Sequence, residues 1–583
     1  MRHWLTLVVW CATAPAGLYA AERALNYEPS SWRHELTDSG VESSIGAGAI
    51  SIGPWKAGTA ARLEYAPSLP LEEGSVTGRY RTENLYPNEA VVRIAFYRGQ
   101  QRVSALNFPL SDTRTWQPFR VPVFRSPEGT TSILVAFGLS EKSAGKVYFT
   151  DLRAASERLN PQFPARHSAL VRSKPPKTLG ASARVRIEQA GGAWWLVDSA
   201  GKPFFSLGSV APPPEPDAAA QMAALGLNSL ATTHDAARWS AWNEKQIARG
   251  APATMQFRTI GTEVGAAYDT LVDAEGNNPG ASQTAAAATG GFNHAFPDPF
   301  DPRWEKSYRE GARKIAAVLR GKPYFAGWFA DNERTHRDLY RYVWSPNCAR
   351  AFGAFLVKKY ARIEELNRAW KTGFASFDAL LRQKVEPPAR EGAMYDDFRA
   401  FSREILGHFN ETALRVIHEE DPGSLVFSNR FMMGESRDVI ENLDLYRGFD
   451  ALAVNVYPAN LSSGLDPAQR RYLEILHQRS GKPLLIAEWS VPARDSGLYD
   501  KPEHLDWSYP QTVATQQDRA RQAAEVIAEL YNMPYVLGAQ WFTWSDIDTP
   551  QRQANRGLFR ANGEPWKELQ QAMSAICKEI AAR

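Results

Sequence analysis

The 583-residue chain has little cysteine, and beyond its first twenty residues it has no long apolar run. Only Cys11, Cys348 and Cys577 occur. Three cysteines cannot form the framework of a disulfide-rich domain, so the fold has to be stabilised by a buried core. Cys348 and Cys577 are compatible either with one bridge or with two buried thiols. Because no later run reaches the length of a bilayer span, we expect no membrane-spanning segment.

The chain also lacks an excess of charge of one sign. It has 67 Lys and Arg against 64 Asp and Glu, a formal charge of +3. Such a balance gives no reason to expect binding to nucleic acid or to an acidic membrane surface. Charged residues make up 22% and hydrophobic residues 44%, which is typical of globular enzymes. The oligomeric state is left open by these numbers.

Several motifs of known chemistry are missing. The sequence contains no His-Glu-x-x-His, and residues 417–420 (IHEE) read as a charged helix end, so we expect no metal site. No G-x-S-x-G occurs, and residues 494–497 (RDSG) lack its first glycine, which excludes the common serine hydrolase signature. Neither a glycine-rich dinucleotide fingerprint nor a P-loop is present. We therefore expect no cofactor.

The N-terminus has the pattern of a secretory signal peptide. Met1, Arg2 and His3 precede an apolar stretch, residues 5–12, and small residues follow up to Ala21. A basic start, a short apolar run and alanines at the end predict a signal peptide over residues 1–21. The mature protein is then expected to be exported to the periplasm or to the outside of the cell.

Residues 22–158 show a pattern of short strands and are predicted to form a β-sandwich. Alternating runs recur at about ten-residue spacing, separated by Gly, Pro, Asn and Asp. The last run, residues 147–152 (VYFTDL), resembles the final strand of jelly-roll carbohydrate-binding modules. A spacer without sugar affinity is an equally open reading. The predicted strands are 76–81, 91–97, 116–124, 131–139 and 146–152.

Residues 181–583 are predicted to form a (β/α)8 TIM barrel, giving an α/β fold class. Residues 159–180 are Pro-rich and basic without a period, and we interpret them as a linker. Two strands around Gly191 and Gly192 predict a hairpin that plugs the barrel floor. A doubly wound sheet is the alternative fold. Eight strands are predicted at 204–209, 227–232, 254–258, 325–331, 425–429, 451–457, 484–488 and 536–541, with helices that include 302–319, 395–420, 467–478 and 515–531.

Two glutamates follow apolar runs in this pattern. Glu333 ends the run 325–333 (FAGWFADNE), and Glu488 ends the run 484–488 (LLIAE). Barrel enzymes place catalytic groups where strands give way to loops. Two carboxylates at that edge can cleave a glycosidic bond, and a separation of about 5 Å would indicate a covalent intermediate. Each glutamate taken singly is as readily explained as a surface residue.

Amides, a guanidinium, a phenol and indoles cluster at the same strand ends. Such groups suit a hydroxyl-rich substrate, because sugars offer many donors and acceptors at fixed geometry. Singly, each is as readily a capping Asn or a core Trp. The predicted substrate-binding residues are Asn332, Tyr457, Trp541, Trp544, Asn455, Arg430, Asn293 and His294.

At these residues the chain resembles clan A of the glycoside hydrolases, and within it the family 50 β-agarases and agarase-like proteins. The matching runs are 194–198 (WWLVD), 201–208 (GKPFFSLG), 300–303 (FDPR), 327–333 (GWFADNE) and 538–542 (GAQWF). Residues 355–370 also resemble family 42 β-galactosidases. Two departures from the agarase pattern are Ala487-Glu488-Trp489, in place of Gly-Glu-Phe, and a short loop at 545–556.

The resemblance implies a retaining hydrolase of β-glycosidic bonds in a galactan-type polysaccharide. Glu333 would be the general acid/base and Glu488 the nucleophile, with a raised and a depressed pKa respectively. Asn332 would bind the sugar 2-hydroxyl, Tyr457 would orient Glu488, and Trp541 or Trp544 would floor the reactive subsite. The alternatives are a β-galactosidase or other clan A β-glycosidase, and a non-catalytic carbohydrate-binding protein.

Overall fold

The structure is a computed structural model of the chain. It describes residues 23–25, 27–36, 43–46, 48–53, 61–65, 74–83, 90–110, 113–123, 130–139, 145–156, 163–213, 216–232, 235–260, 268–278, 295–334, 339–387, 392–432, 436–458, 463–465, 467–499, 512–550 and 552–583. The expected signal peptide, residues 1–21, lies outside the described residues.

The N-terminal part consists of two antiparallel sheets. One sheet has the order β3-β4-β11-β6-β9, with β1 also paired to β11, and the other has the order β2-β5-β10-β7-β8. The strands are β1 (Arg23–Ala24), β2 (Trp32–Leu36), β3 (Ser43–Gly46), β4 (Ala49–Ile52), β5 (Ala61–Tyr65), β6 (Gly74–Glu83), β7 (Ala90–Arg98), β8 (Gln101–Leu110), β9 (Gln117–Val123), β10 (Ser132–Leu139) and β11 (Lys146–Ser156).

The two sheets share one apolar core and form a β-sandwich. Phe137 on β10 contacts Phe149 on β11 and Phe119 on β9, with ring centroids 5.1 and 6.2 Å apart. Val76 and Ile94 from opposite sheets lie fully buried in the same cluster. All five predicted strands are confirmed. The likeness to a jelly roll stays a prediction.

Residues 163–180, predicted to form part of a linker, lie against the barrel. Phe163 and Leu170 are buried in the same core as the barrel helices. Ser168 donates from its amide and its hydroxyl to Glu525, at 2.7 and 2.6 Å. The guanidinium of Arg172 stacks on Trp195 at 4.0 Å. The segment is therefore held in place by apolar and polar contacts together.

The predicted floor hairpin is confirmed. Strands β12 (Arg186–Ala190) and β13 (Ala193–Val197) pair in antiparallel fashion, and β14 (Pro203–Phe204) adds a third strand. The turn residues Gly191 and Gly192 have φ of +59° and +79°, which glycine adopts at little cost. Leu196 on β13 is buried with side chains of the barrel interior, so the hairpin closes the barrel at its amino-terminal end.

The remaining strands form one parallel sheet of nine segments, in the order β19-β18-β17-β16-β15-β23-β22-β21-β20. All eight predicted barrel strands are present, and the fifth consists of β19, inside the predicted range 425–429, and β20, just beyond it. The segments are β15 (Ser206–Val210), β16 (Ser229–Thr232), β17 (Met255–Thr259), β18 (Phe325–Phe329), β19 (Val426–Phe427), β20 (Phe431–Met432), β21 (Leu452–Asn455), β22 (Leu484–Trp489) and β23 (Val536–Trp541). A ribbon, β24 (Ile547–Thr549) and β25 (Arg552–Ala554), follows.

The two ends of this sheet meet. A parallel bridge joins Phe427 on β19 to Ala451, the residue before β21, and the amide of Ser428 donates to the Ala451 carbonyl at 3.2 Å. The strands curl around buried rings such as those of Phe257 and Phe329, whose centroids lie 5.6 Å apart. This arrangement is consistent with a (β/α)8 barrel and replaces the doubly wound alternative.

Close pairing of β18 with the fifth strand depends on one glycine. Gly327 has φ of +140°, and a Cβ added there would lie 2.8 Å from the Leu425 carbonyl oxygen. A larger residue would push the two strands apart. Because the turn that carries Glu333 follows β18 directly, this glycine helps to fix the start of that turn.

Helices cover the outside of the barrel. All four predicted helices are confirmed within two residues of their ends, which reflects strong amphipathic patterns. Among the described residues, none of the helices combines the length and the hydrophobicity needed to cross a membrane. The helices are α1 (Pro216–Leu225), α2 (Ala236–Ala248), α3 (Pro302–Leu319), α4 (Pro346–Tyr360), α5 (Ile363–Trp370), α6 (Phe377–Gln383), α7 (Ala393–Glu420), α8 (Ser436–Glu441), α9 (Pro467–Ser480), α10 (Gln516–Asn532) and α11 (Lys567–Ala581).

Of the two readings for the cysteines, the structure selects the buried thiols. Cys348 on α4 and Cys577 on α11 are both unbridged and fully buried. Burial raises the pKa of each thiol. Both side chains therefore act as small apolar residues of the core.

Candidate active site

Glu333 lies in the turn 331–334 that follows β18. Its backbone has φ of +47°, in the left-handed region that costs a residue with a Cβ about 1 kcal/mol or more. The Glu333 amide donates to the carbonyl of Arg430 at 3.2 Å, and a parallel bridge pairs Asn332 with Arg430. The turn is thus fixed against the fifth strand, and the Glu333 side chain is partly exposed at the carboxyl-terminal end of the barrel.

Glu488 belongs to β22 itself and is 4% exposed. One oxygen, Oε1, lies 2.9 Å from Nη1 of Arg430. The other, Oε2, accepts a hydrogen bond of 2.6 Å from the hydroxyl of Tyr457. Burial raises the pKa of Glu488 to about 6, while the charge of Arg430 and the Tyr457 hydrogen bond lower it and the charge of Glu333 raises it.

This direction is opposite to the depressed pKa expected for Glu488. The reason is burial: the loss of hydration outweighs the charges of Arg430 and Arg556 and the hydrogen bond from Tyr457. With a pKa of about 6, the carboxylate form of Glu488 still predominates at neutral pH.

Arg430 and Asn455 each contact both glutamates. Arg430 holds Glu333 through its backbone carbonyl and Glu488 through its side chain. Asn455 does the reverse: its Nδ2 donates to Oε1 of Glu333 at 2.6 Å, while its backbone is paired with Glu488 in the parallel sheet. We call these contacts the crossed ties. They join the fourth, fifth, sixth and seventh strands around the two carboxylates.

Tyr457 lies between Glu488 and two residues that follow the eighth strand. The guanidinium of Arg556 is centred 4.7 Å from the Tyr457 ring, and the ring of Phe542 meets it edge-on at 6.3 Å. Burial raises the pKa of Tyr457 well above its usual value, and the charge of Glu488 raises it further. The phenol therefore stays protonated and acts as a donor to Glu488.

Trp541 and Trp544 are both buried in this structure. Trp541 is fully buried, donates its indole N–H to the Arg556 carbonyl at 2.8 Å, and packs edge-on against Trp489 at 4.8 Å. Trp544 is 6% exposed and packs on Phe559 at 4.8 Å. Both rings contribute to the core here, and the expected role of either as a subsite floor stays a prediction.

Of the other predicted site residues, Asn332 is 5% exposed and lies beside Glu333. Asn293 and His294 lie outside the described residues. Some polar atoms of the described site have no hydrogen-bond partner among the described residues. They are Oδ1 of Asn332, Oδ1 of Asn455, and Nε and Nη2 of Arg430. Amide oxygens and guanidinium nitrogens of this kind match the hydroxyl groups of a sugar.

One group of carboxylates away from this site has the spacing of metal ligands. Oxygens of Asp273, Glu275 and Glu386 lie within 4.8 Å of one another. Arg341 lies among them, 2.9 Å from Glu386 and 4.0 Å from Asp273. A guanidinium already supplies positive charge to these carboxylates, so the donor set is explained as an ion-pair group.

Comparisons with known proteins identify glycoside hydrolases as similar to this chain. A family profile described as Beta-galactosidase (Glyco_hydro_42) matches residues 286–503, a range that contains both Glu333 and Glu488. Beta-agarase B of Vibrio sp. (strain JT0107) is 24% identical over 304 residues, 48% of this chain and 30% of the relative. Beta-galactosidase Bga of Halorubrum lacusprofundi is 30% identical over 280 residues, 44% and 37% of the two chains. The chain resembles agarase-like glycoside hydrolases.

The solved structures extend the agarase likeness to the whole fold. An agarase, AgWH50C, superposes with a TM-score of 0.59 and 16% identity, covering 96% of this chain and 99% of its own. An exo-beta-agarase superposes with a TM-score of 0.58 and 14% identity, covering 99% of each chain. At such identities the likeness concerns the fold alone. In sequence, the match spans less than half the length of the curated relatives named above.

Three residues near Glu333 and Tyr457 are not among the predicted site residues: Arg334, Phe542 and Arg556. Arg334 follows the predicted Asn-Glu pair directly, and Phe542 ends the quoted run 538–542, so their positions next to strand ends were available as a signal. Arg556 lies in the loop after the eighth strand, where no periodicity distinguishes it from other loop arginines. Its place over Tyr457 results from the path of that loop.

Proposed function

We propose that the chain is a retaining β-glycosidase that cleaves a galactan-type polysaccharide in an agarase-like manner. The observation that supports this proposal most directly is the pair of crossed ties, through which Arg430 and Asn455 each contact Glu333 and Glu488. Two carboxylates of one site, one buried and one partly exposed, can divide the roles of nucleophile and acid/base.

In the proposed first step, Glu488 attacks the anomeric carbon while Glu333 donates a proton to the departing glycosidic oxygen. The bond from carbon to the leaving group breaks, and a glycosyl ester with Glu488 forms. In the second step Glu333, now a carboxylate, takes a proton from water, which attacks the anomeric carbon and releases Glu488. Tyr457 and Arg430 orient Glu488 throughout, and Asn455 orients Glu333.

The substrate class rests on the relatives, several of which are named β-agarases. We propose a polysaccharide or oligosaccharide with β-linked galactose units as the partner. We further propose export to the periplasm or the cell exterior, because a polysaccharide is met there and residues 1–21 have the signal-peptide pattern. The sandwich, residues 22–158, is proposed as a separate carbohydrate-binding or spacing unit before the linker and the barrel, 181–583.

A β-galactosidase that acts on smaller substrates is the second candidate. It is favoured by the family profile over residues 286–503 and by several curated relatives with that name. A non-catalytic carbohydrate-binding protein is disfavoured, because a barrel that has lost catalysis has no need for two tied carboxylates. Turnover of aryl β-galactosides, agar and porphyran by the purified protein separates the three readings.

The stereochemistry requires its own measurement. Proton NMR during the first minutes of hydrolysis identifies the anomer released, and a β-anomer is expected from a retaining enzyme. An α-anomer would mean inversion and would remove the covalent step. A crystal structure supplies a second check, since the carboxylates of Glu333 and Glu488 are expected about 5 Å apart, and a gap beyond about 6.5 Å would leave room for an attacking water.

A further inference from the structure

The left-handed backbone of Glu333 has to be imposed by its surroundings, because a glutamate does not adopt it readily alone. Two charged residues flank Glu333 within the same turn. Nε of Arg334 lies 2.8 Å from Oδ2 of Asp331, and the two side chains are only 4% and 3% exposed. An ion pair this deeply buried is expensive unless further hydrogen bonds satisfy it.

Those further hydrogen bonds are present. Nη1 of Arg334 donates to the Ala295 carbonyl at 2.6 Å. Oδ1 of Asp331 accepts from the Asn332 amide at 2.7 Å. The backbone of Arg334 is held by Asn429, whose Oδ1 accepts from the Arg334 amide at 3.3 Å and whose Nδ2 donates to the Arg334 carbonyl at 3.5 Å. The turn is therefore fixed on both sides of the glutamate.

From this arrangement we infer that Asp331 and Arg334 are positioning residues for the acid/base Glu333. The ion pair joins the residue two before Glu333 to the residue after it, so the chain between them has to keep its left-handed turn. Loss of the pair would allow Glu333 to return to an ordinary backbone conformation and would weaken its contact with Asn455. This inference rests on the proposed function, since it assigns a purpose to the Glu333 carboxyl.

The test uses a series of aryl β-galactosides with leaving groups of increasing pKa. A good leaving group needs little protonation, whereas a poor one depends on the acid. In Arg334→Lys and Asp331→Asn, kcat/KM is expected to fall about tenfold or more for the poorest leaving group and about threefold or less for the best. KM is expected to change little for the poorest leaving group and to fall for the best, because the glycosyl-enzyme accumulates when its breakdown is slow. Azide should raise turnover of the best substrates and give the β-azide, as with a missing acid/base.

Asn429→Ala provides a second variant in case the charged substitutions do not fold. It removes both hydrogen bonds to the Arg334 backbone without leaving a charge buried. In Asn429→Ala, kcat/KM is also expected to fall more for poor leaving groups than for good ones, but by a smaller factor than in Arg334→Lys. If the folded variants lose activity equally on all substrates, the ion pair is only structural and the inference is overturned.

Arg184→Lys is the matched control. Arg184 pairs with buried Asp421 at 2.7 Å, at the opposite end of the barrel. Its substitution should lower the thermal midpoint with no dependence on the leaving group, and a dependence equal to that of Arg334→Lys would overturn the inference. Glu333→Gln is measured in parallel. Full activity of Glu333→Gln would refute the proposed function. If kcat/KM depends steeply on the leaving-group pKa in Glu333→Gln but not in Arg334→Lys, only the positioning role is refuted.

Discussion

The two ends of the barrel use buried arginines differently. At the floor, where the strands begin, Nη1 of Arg172 donates to three carbonyls, those of Tyr531, Met533 and Val536, at 2.8 to 3.2 Å. Its Nη2 donates to the carbonyl of Trp194, and only its Nε has no hydrogen-bond partner among the described residues. This guanidinium links the segment before the barrel to the floor hairpin and to the start of the last strand.

At the mouth, where the strands end, Arg430 places only Nη1 on a protein partner, and Nε and Nη2 have none among the described residues. The amide oxygens of Asn332 and Asn455 are likewise buried without a hydrogen-bond partner among the described residues. Buried polar atoms are normally paired because leaving them unpaired costs free energy. The comparison indicates that the floor is organised for stability, while the mouth keeps hydrogen-bonding capacity for a ligand.

The largest effect is expected from Glu488→Gly at the mouth. Activity should fall by about 10⁴-fold or more, because no glycosyl-enzyme can form. Azide can attack an activated substrate directly in the space left by the side chain, and the product should be the α-azide. Mass spectrometry and NMR of the product provide the measurement. A β-azide would exchange the roles assigned to the two glutamates.

Glu333→Ala should have the next largest effect. With poor leaving groups, kcat is expected to fall about 10²- to 10⁴-fold, the usual contribution of general acid catalysis. With activated aryl glycosides the intermediate should still form, and azide should give the β-azide by a second inversion. Full activity on natural substrate would remove Glu333 from the mechanism.

Arg430→Met tests whether the buried arginine at the mouth controls the ionisation of Glu488. In the unaltered protein kcat/KM should decline as the pH falls below about 6, since Glu488 must be ionised to attack. Removing the Arg430 charge should raise the pKa of Glu488. The acidic decline of kcat/KM should then occur at a pH higher by about one unit or more. The pH profile with an aryl β-galactoside is the measurement, and a downward or absent movement would contradict the assignment.

The same pKa has a consequence for stability with a defined sign. The folded-state pKa of about 6 lies above the ordinary value of 4.5 for a glutamate, so the folded state binds this proton more tightly than the unfolded chain. The contribution of Glu488 to stability is fully present below about pH 4.5 and is lost as the pH rises through about 6. This contribution to the pH dependence of the free energy of unfolding adds to the contributions of all other titrating groups.

Arg172→Met at the floor should act on stability alone. Loss of the donor to buried carbonyls is expected to lower the free energy of unfolding by about 1–3 kcal/mol. Thermal or denaturant unfolding measures the loss, and kcat/KM on an aryl β-galactoside is expected to stay within about twofold, because the floor does not contact the mouth. A large fall in kcat/KM in a folded variant would mean that the two ends are coupled.

Deletion of the sandwich should have the smallest effect on a small substrate. The cut belongs near residue 158, not near Gly180, because Phe163, Leu170 and Arg172 contact the barrel. If the sandwich only binds or spaces, kcat on a small aryl glycoside should change by about twofold or less. A large drop in kcat would show that the sandwich helps to build the cleft.

Much of the barrel was predictable from sequence because its signals are local. Each of the eight strands is a short apolar run, and the long helices have clear amphipathic periods. Six sandwich strands were missed, namely β1, β2, β3, β4, β5 and β8. Residues 43–46 (SSIG) and 49–52 (AISI) are short and rich in small residues, and residues 101–110 contain a proline, so tertiary pairing rather than local propensity makes them strands.

Five of the predicted side chains lie together at the candidate site, but their contacts and burial could not be predicted. Position at a strand end identified Glu333, Glu488, Arg430, Asn455 and Tyr457. Sequence cannot report how deeply a side chain is buried. The pKa of Glu488 was therefore expected to be depressed, whereas burial raises it. For the same reason the sequence left open whether Trp541 and Trp544 are core side chains.

The crossed ties have a consequence for how such a protein can change. They run between strand ends, and both use backbone groups whose positions are set by the register of the sheet. The spacing of Glu333 and Glu488 is therefore set mainly by the sheet, although Arg334 also binds the Ala295 carbonyl in a loop. Loops that do not contact the turn 331–334 can be exchanged, lengthened or lost to suit a different ligand while the two carboxylates stay where they are.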